Sequence, residues 1–263
     1  MRNSKQILLA IFLLASVVSC NKDENTPIVA LEKATISAKW IVGNVSDYVS
    51  FEFNESGNYI VVENTTTSLT NGHTIIFGNY EIVNNNTVVL SDFGTLTVSG
   101  INKNSISFSI QLTGNPDNEI NINASKQQEM ASSERTDLLC KTWELVTVNG
   151  GSVVGTAYNL TVLFSKAGTY LVVYKDPKDG IDDLAQWKWK DEAETQLLYS
   201  REEVPVWDEA DFVVIDEITS NTLKIVEEGY TYTLHPLSDT KSSFAKISTE
   251  IPIKLAEKGF FKK

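Results

Sequence analysis

The sequence predicts an all-β protein built as two tandem small antiparallel domains, each of about eight strands closing into a barrel, behind a removable N-terminal segment. Three observations predict it. Apolar and polar residues alternate with period two over most of the chain after residue 34, and helical periodicity is nearly absent. Strand-length runs are punctuated by short turns of Gly, Asn and Ser. The pattern also repeats, at an offset that drifts upward from about 103 to about 117 residues.

The elements follow in order. Arg2 and Lys5 precede an apolar run from Ile7 to Val18, too short to span a bilayer as a stable helix. Val17-Val18-Ser19 then places small residues directly before Cys20. This resembles the lipobox of bacterial lipoproteins, which implies cleavage after Ser19 and diacylglycerol on the Cys20 thiol. Asn21-Lys22-Asp23-Glu24 follows at once. Lys22, Asp23 and Glu24 resemble the surface-export signal of Bacteroidetes lipoproteins, which implies a body facing outward from the outer membrane. The expected division is a signal peptide at 1–19, a lipidated tether at 20–33, a first domain at 34–125, a linker at 126–135, a second domain at 136–240, and a tail at 241–263 that packs on the second domain.

Composition bounds the rest. Of 263 residues, 42% are hydrophobic, enough for a real core. Loss of the signal leaves 20 basic residues against 34 acidic ones, a formal charge of −14. That balance argues against nucleic acid, whose phosphates it repels. Two cysteines and two histidines exclude a disulfide framework and a multi-ligand zinc site. Cys140, between Leu139 and Trp143, reads as a small core residue without the nearby histidine or basic cluster that would mark an activated thiolate.

The repeat is clearest at two hairpins. Phe53-Asn54-Glu55-Ser56-Gly57-Asn58-Tyr59 parallels Phe164-Ser165-Lys166-Ala167-Gly168-Thr169-Tyr170. Trp40 corresponds to Trp143, Tyr80 and Ile82 to Trp187 and Trp189, and the 101–106 hairpin to 218–223. First-copy strands are expected near 38–43, 48–54, 58–63, 73–83, 86–91, 94–101, 105–112 and 118–124. Second-copy strands are expected near 142–148, 158–165, 168–174, 185–190, 195–201, 211–218, 221–227 and 229–235, with a short helix at 133–139. The opening Trp, the Phe-x₃-Gly-x-Tyr hairpin and the eight-strand meander resemble the lipocalin-like domains of Bacteroidetes lipoproteins. The Gly-x-Trp of that family is incomplete, with Ala38 and Lys141 in the glycine position. No arginine that would stack on the Trp is evident in the closing strands.

Candidate chemistry lies in the barrels. Phe51, Phe53, Tyr59, Trp40 and Tyr80 face inward in the first copy; Trp143, Phe164, Tyr170, Trp187 and Trp189 do so in the second. Tyr170, Trp187, Trp189 and Trp207 are the candidate ligand contacts, with an ordinary aromatic core as the competing reading. Trp207, in Val204-Pro205-Val206-Trp207-Asp208, either stacks on a sugar or plugs the barrel end. Asp176, Asp179, Asp182 and Asp183 read as a solvated acidic turn rather than a calcium loop. His73 and His235 occupy non-equivalent positions, and nucleophile elbows, zincin helices and phosphate loops are absent.

The expected function is a non-catalytic, cofactor-free, surface-exposed outer-membrane lipoprotein that binds a small apolar molecule or a glycan. The alternative is a structural or interaction module of an outer-membrane complex with filled barrel interiors. The expected partners are the membrane through the lipid anchor, a small apolar molecule or glycan, and an outer-membrane protein.

Overall fold

A computed structural model describes residues 30–43, 46–65, 72–156, 158–173, 183–202 and 204–237. The lipobox cysteine, Lys22, Asp23, Glu24, most of the acidic loop and the C-terminal tail lie outside these residues. Two closed eight-stranded antiparallel barrels follow one another along the chain. The first opens with a single helical turn, α1 (Lys33–Ile36). Its strands are β1 (Ala38–Val42), β2 (Tyr48–Phe53), β3 (Asn58–Thr65), β4 (Gly72–Asn84), β5 (Thr87–Leu90), β6 (Gly94–Ile101), β7 (Ser105–Leu112) and β8 (Asn115–Lys126). Strand β8 returns to pair with β1, so no edge is left open. Alternation puts Trp40, Phe51, Tyr59, Val61, Val88, Leu96, Phe108 and Ile110 into one core.

The second barrel opens with α2 (Glu134–Leu139), whose N-cap Ser133 accepts a hydrogen bond from the Thr136 amide. Its wall is β9 (Thr142–Val148), β11 (Thr161–Phe164), β12 (Thr169–Val173), β13 (Asp183–Trp189), β14 (Gln196–Ser200), β15 (Phe212–Ile218), β16 (Leu223–Glu227) and β17 (Tyr230–Pro236). Closure is again by the last strand on the first. A two-residue strand, β10 (Gly151–Ser152), folds back on β9 and is an addition to the expected eight. The sequence also missed α1, because four residues are too short to show a helical period. Leu31, read as tether, is already buried and donates its amide to the Asn85 carbonyl.

The repeat is a repeated set of bonds. In each copy the indole N–H of the opening Trp caps the short helix: Trp40 Nε1 donates to the Ile36 carbonyl and Trp143 Nε1 to the Leu139 carbonyl, both at 2.9 Å. Each hairpin turn carries a left-handed glycine, Gly57 at φ +91° and Gly168 at φ +81°, where an L side chain is strained. The glycine carbonyls receive the amides of Tyr80 and Trp187. The same two residues return side-chain bonds to the turn, Tyr80 Oη to the Asn54 carbonyl and Trp187 Nε1 to the Ser165 carbonyl. Helix, Trp and glycine turn therefore seal one end of each barrel. The opposite end is called the mouth below.

The barrels meet along their outer walls. Ile60, Val62 and Phe77 of the first pack with Leu163, Leu171, Val173 and Leu184 of the second in one apolar cluster. Strand registers make Ile60 equivalent to Leu171 and Phe77 equivalent to Leu184. The polar bonds beside the cluster are paired likewise. Lys39 Nζ donates to Thr169 Oγ1 at 3.2 Å, and Thr142 Oγ1 donates to Asn58 Oδ1 at 3.1 Å. Position 39 matches 142 and position 58 matches 169, so each copy offers the other the same patch, as in a two-fold dimer. Thr169 Oγ1 in turn donates a hydrogen bond to Oε2 of buried Glu52 at 2.6 Å, an element without a counterpart in the second copy, where Leu163 stands. The linker is tied to both sides: the Gln127 amide donates to the Lys39 carbonyl and its side chain to the Ala167 carbonyl.

Candidate functional site

The aromatic residues singled out in the sequence are locked into the sealed end of the second barrel. Tyr170 has no exposed surface, and Trp187 has 2%. The Trp187 ring stands edge-on to Phe164 and to Trp189, at 5.7 and 5.5 Å. Trp189 Nε1 donates to Thr136 Oγ1 of α2 at 2.8 Å, so its polar handle is spent on the helix. Trp207 does not plug the barrel end. The Trp207–Glu209 stretch of its loop lies on the outer wall, where Lys188 Nζ sits 4.7 Å from the ring centroid and Lys190 Nζ donates to the Glu209 carbonyl. Lys188 points outward because its neighbours Trp187 and Trp189 point in. The sequence signal for Trp207 was a break in alternation, which marks a loop but not its direction.

The interior of both barrels is occupied by side chains at the sealed end and through the middle. A cavity for a small molecule would leave its lining open to a water-sized sphere. Yet Trp143, Val162, Leu197, Val213 and Ile225 have none of their surface open in this way, and neither do Phe51, Val61, Val88, Leu96 and Ile110. A cation does lie over the opening Trp of the second copy, from an unexpected place. Lys141, which replaces the glycine of Gly-x-Trp, lies 4.7 Å from the Trp143 ring and also donates to the Ser220 carbonyl.

The two mouths differ. In the first barrel a tight turn with Asp92 at φ +57° tips Phe93 inward, and its ring meets Tyr48 and Tyr59 at 6.2 and 6.3 Å. Below it lie Leu90, Ile110 and Ile122, all buried. In the second barrel the strand registers put Tyr199 at the Leu90 position, Asp211 at Gly94, Glu227 at Ile110, Tyr230 at Ile120 and Tyr232 at Ile122. Three phenols and two carboxylates therefore stand where the sister copy has apolar or no side chains. Tyr199 Oη lies 3.2 Å from Asp211 Oδ1 and 3.4 Å from Glu227 Oε1. The Arg201 guanidinium sits 5.2 Å from the Tyr199 ring centroid. Tyr230 and Tyr232 lie face to face at 6.3 Å.

Electrostatics follow from this layer. Burial, then the charges of Glu227 and Asp211, push the Tyr199 phenol well above its ordinary range. Burial and Glu227 push Tyr232 up to about 12. Both phenols stay protonated donors at any physiological pH. Stability does not call for carboxylates here, since the sister copy fills the same layer with aliphatics. Departures of this kind from local packing rules concentrate at functional sites. Sequence reasoning missed the layer because unequal loops shift the offset between copies from 109 residues at Tyr199 to 117 at Glu227. A match extended strand by strand, rather than hairpin by hairpin, contains the signal.

Cys140 packs against the second core, and burial pushes its thiol up. In a Cys20→Ser chain, where it is the single thiol, maleimide labelling at pH 8 should be slow in buffer and complete in urea; fast labelling of the folded chain would contradict this. His73 and His235 are both exposed and lie on different barrels. Among the described residues no three His, Cys, Asp or Glu side chains converge as metal ligands, and no helix is long and apolar enough to cross a membrane.

No family model and no curated protein matches the chain. Among solved structures it aligns with the DNA polymerase III beta chain of Streptococcus pneumoniae at 12% identity, covering 88% of this chain and 62% of that one. The TM-score of that alignment is 0.12, and the alignment carries no inference.

Proposed function

We propose that this chain is a lipid-anchored, surface-exposed outer-membrane protein of the Bacteroidetes type, and that it acts without catalysis as an interaction module whose barrels are solid supports. The packed interiors carry this reading. With no room beside Tyr170, Trp187 or Trp143, an enclosed apolar ligand has nowhere to sit, and contact with partners falls to the mouths, loops and walls. The lipobox at Cys20 and the Lys22-Asp23-Glu24 segment support the address.

Native mass spectrometry of the protein extracted in mild detergent from its own host tests the core of the proposal. The expected mass is the mature chain with its acyl chains and no stoichiometric small molecule, in a complex with other membrane proteins. A stoichiometric apolar ligand would overturn it. The address has its own test. Cys20→Ala should move the protein out of the membrane fraction, and alanines at 22–24 should protect it from protease added to intact cells.

A further inference from the structure

The mouth end of the second barrel combines two features that are not found together elsewhere among the described residues. The first is exposed apolar surface. Seven large apolar residues are exposed, and five of them leave this end: Val154 and Tyr158 in the loop before β11, Val204 and Val206 in the loop after β14, and Tyr230 at the start of β17. Clustering of exposed apolar side chains on one end of a domain marks an interaction surface. The second is charge. The described parts of these loops that stay at this end hold the exposed acids Glu202, Asp211 and Glu228, and Glu227 is turned into the barrel, against Arg201 as the one base. The side-chain layer beneath is the tyrosine and carboxylate set that replaces the aliphatics of the first barrel.

We infer that this end docks a basic, partly apolar polypeptide segment, one of whose lysine or arginine side chains enters between Asp211 and Glu227. The inference rests on the interaction-module reading and names the face and the partner chemistry. An acidic face on a chain of formal net charge −12 repels anionic partners, including nucleic acid and acidic lipid, and steers cationic ones. The phenol faces of Tyr230 and Tyr232 suit the methylene stem and cationic head of an entering side chain. The apolar rim supplies the water-excluding contact that holds such a segment in place once it has arrived.

The test is fluorescence anisotropy on the mature lipoprotein in detergent, with a labelled short peptide of lysine, leucine and glycine and its counterpart carrying glutamine for every lysine. The basic peptide should bind at least about tenfold tighter, and its binding should weaken as salt rises. Asp211→Asn alone, at an exposed position, should weaken it, and Asp211→Asn with Glu227→Gln should cost about tenfold or more. Val204→Ser with Val206→Ser should weaken both peptides.

A control pair on the first barrel, Glu32→Gln with Asp117→Asn, should change affinity by less than about twofold. Equal binding of the two peptides overturns the inference. So does an equal loss from the control pair, which would mean diffuse attraction to an acidic protein. Displacement of the peptide by maltoheptaose would assign the mouth to carbohydrate, and self-association in sedimentation that the mouth variants abolish would assign it to a second copy; either result overturns the inference. A failed peptide assay beside a ligand-free, complexed native mass removes only this inference. A stoichiometric apolar ligand in that mass removes the module reading instead.

Discussion

Trp143→Ala should cost about 3–5 kcal/mol of stability, enough to unfold the second barrel in a modest concentration of urea. The ring is wholly buried and lies between three partners. Its indole N–H satisfies the last carbonyl of α2, its face receives Lys141, and its body fills the sealed end of the barrel. Alanine leaves a cavity that the closed wall cannot collapse, since every strand is hydrogen-bonded on both sides. It also removes one of the two donors to the Leu139 carbonyl, which keeps the Lys141 amide, so the lost hydrogen bond adds about 0.5–1.5 kcal/mol. Trp143→Phe separates these contributions, because it restores most of the volume and none of the hydrogen bond. Urea titration followed by circular dichroism should show the midpoint falling by about 1.5–2.5 M for Ala and by less for Phe. A loss below about 1 kcal/mol for Ala would mean that the helix and turn close the barrel without the ring.

The same substitution at Trp40 should act on the first barrel alone. There the indole bond to the Ile36 carbonyl is the same, but no cation over the ring stands beside it. Lys33 lies instead 5.7 Å from the Tyr80 ring centroid, so the two copies place their stacking lysine on different members of the same bond set. A repeat that preserves the bonds and moves the cation points to the indole–carbonyl bond as the shared requirement.

Much of this architecture was legible in the residues. Strands β6 and β7 fall at their expected limits because Asn102 and Ser105 fix the turn between them by local side-chain bonds. The helix before Trp143 was legible from the polar run ending in Leu138-Leu139, and Ser133 caps it. The short helix before Trp40 was not, because Lys33-Ala34-Thr35-Ile36 has one turn and no cap bond. Trp187 and Trp189 were legible as inward residues, but period two cannot say whether an inward ring lines a space or fills one. That depends on neighbours from other strands. The mouth layer was hidden for the same reason: Tyr199, Glu227 and Tyr232 come from three strands and Asp211 from the loop just before a fourth, and only registers across the barrel bring them together. The inter-barrel face was missed, because Ile60-Val61-Val62 and Leu171-Val172-Val173 suit half-buried strands, although they are runs without alternation. A strand buried on both faces reads in this way.

Leu171→Asp should separate the barrels without unfolding either. The side chain points away from the second core into the seam, has no exposed surface, and is equivalent to Ile60 across it. A carboxylate left there unpaired would cost several kcal/mol, more than the seam can return, so the chain does better by opening the seam and hydrating the charge. The cost is therefore capped at the docking free energy of the two walls. The linker strengthens docking by holding the walls at millimolar effective concentration, so that quantity lies above the loss expected for Leu171→Ala and below the cost of an unpaired buried charge. Opening breaks the bonds of Lys39 to Thr169, Thr142 to Asn58 and Thr169 to Glu52, and leaves both closed hydrogen-bond ladders intact. Small-angle scattering should report a larger radius of gyration, protease should cut within the 127–132 linker, and calorimetry should resolve two transitions. Leu171→Ala removes apolar area without adding charge, so it should leave the seam closed with a loss of about 2–3 kcal/mol. If Leu171→Asp instead keeps the native scattering profile, the polar bonds around Glu52 hold the barrels together and the apolar cluster is secondary. If it abolishes the second barrel's circular dichroism signal, β12 depends on its neighbour for its own fold, and the two domains are one cooperative unit.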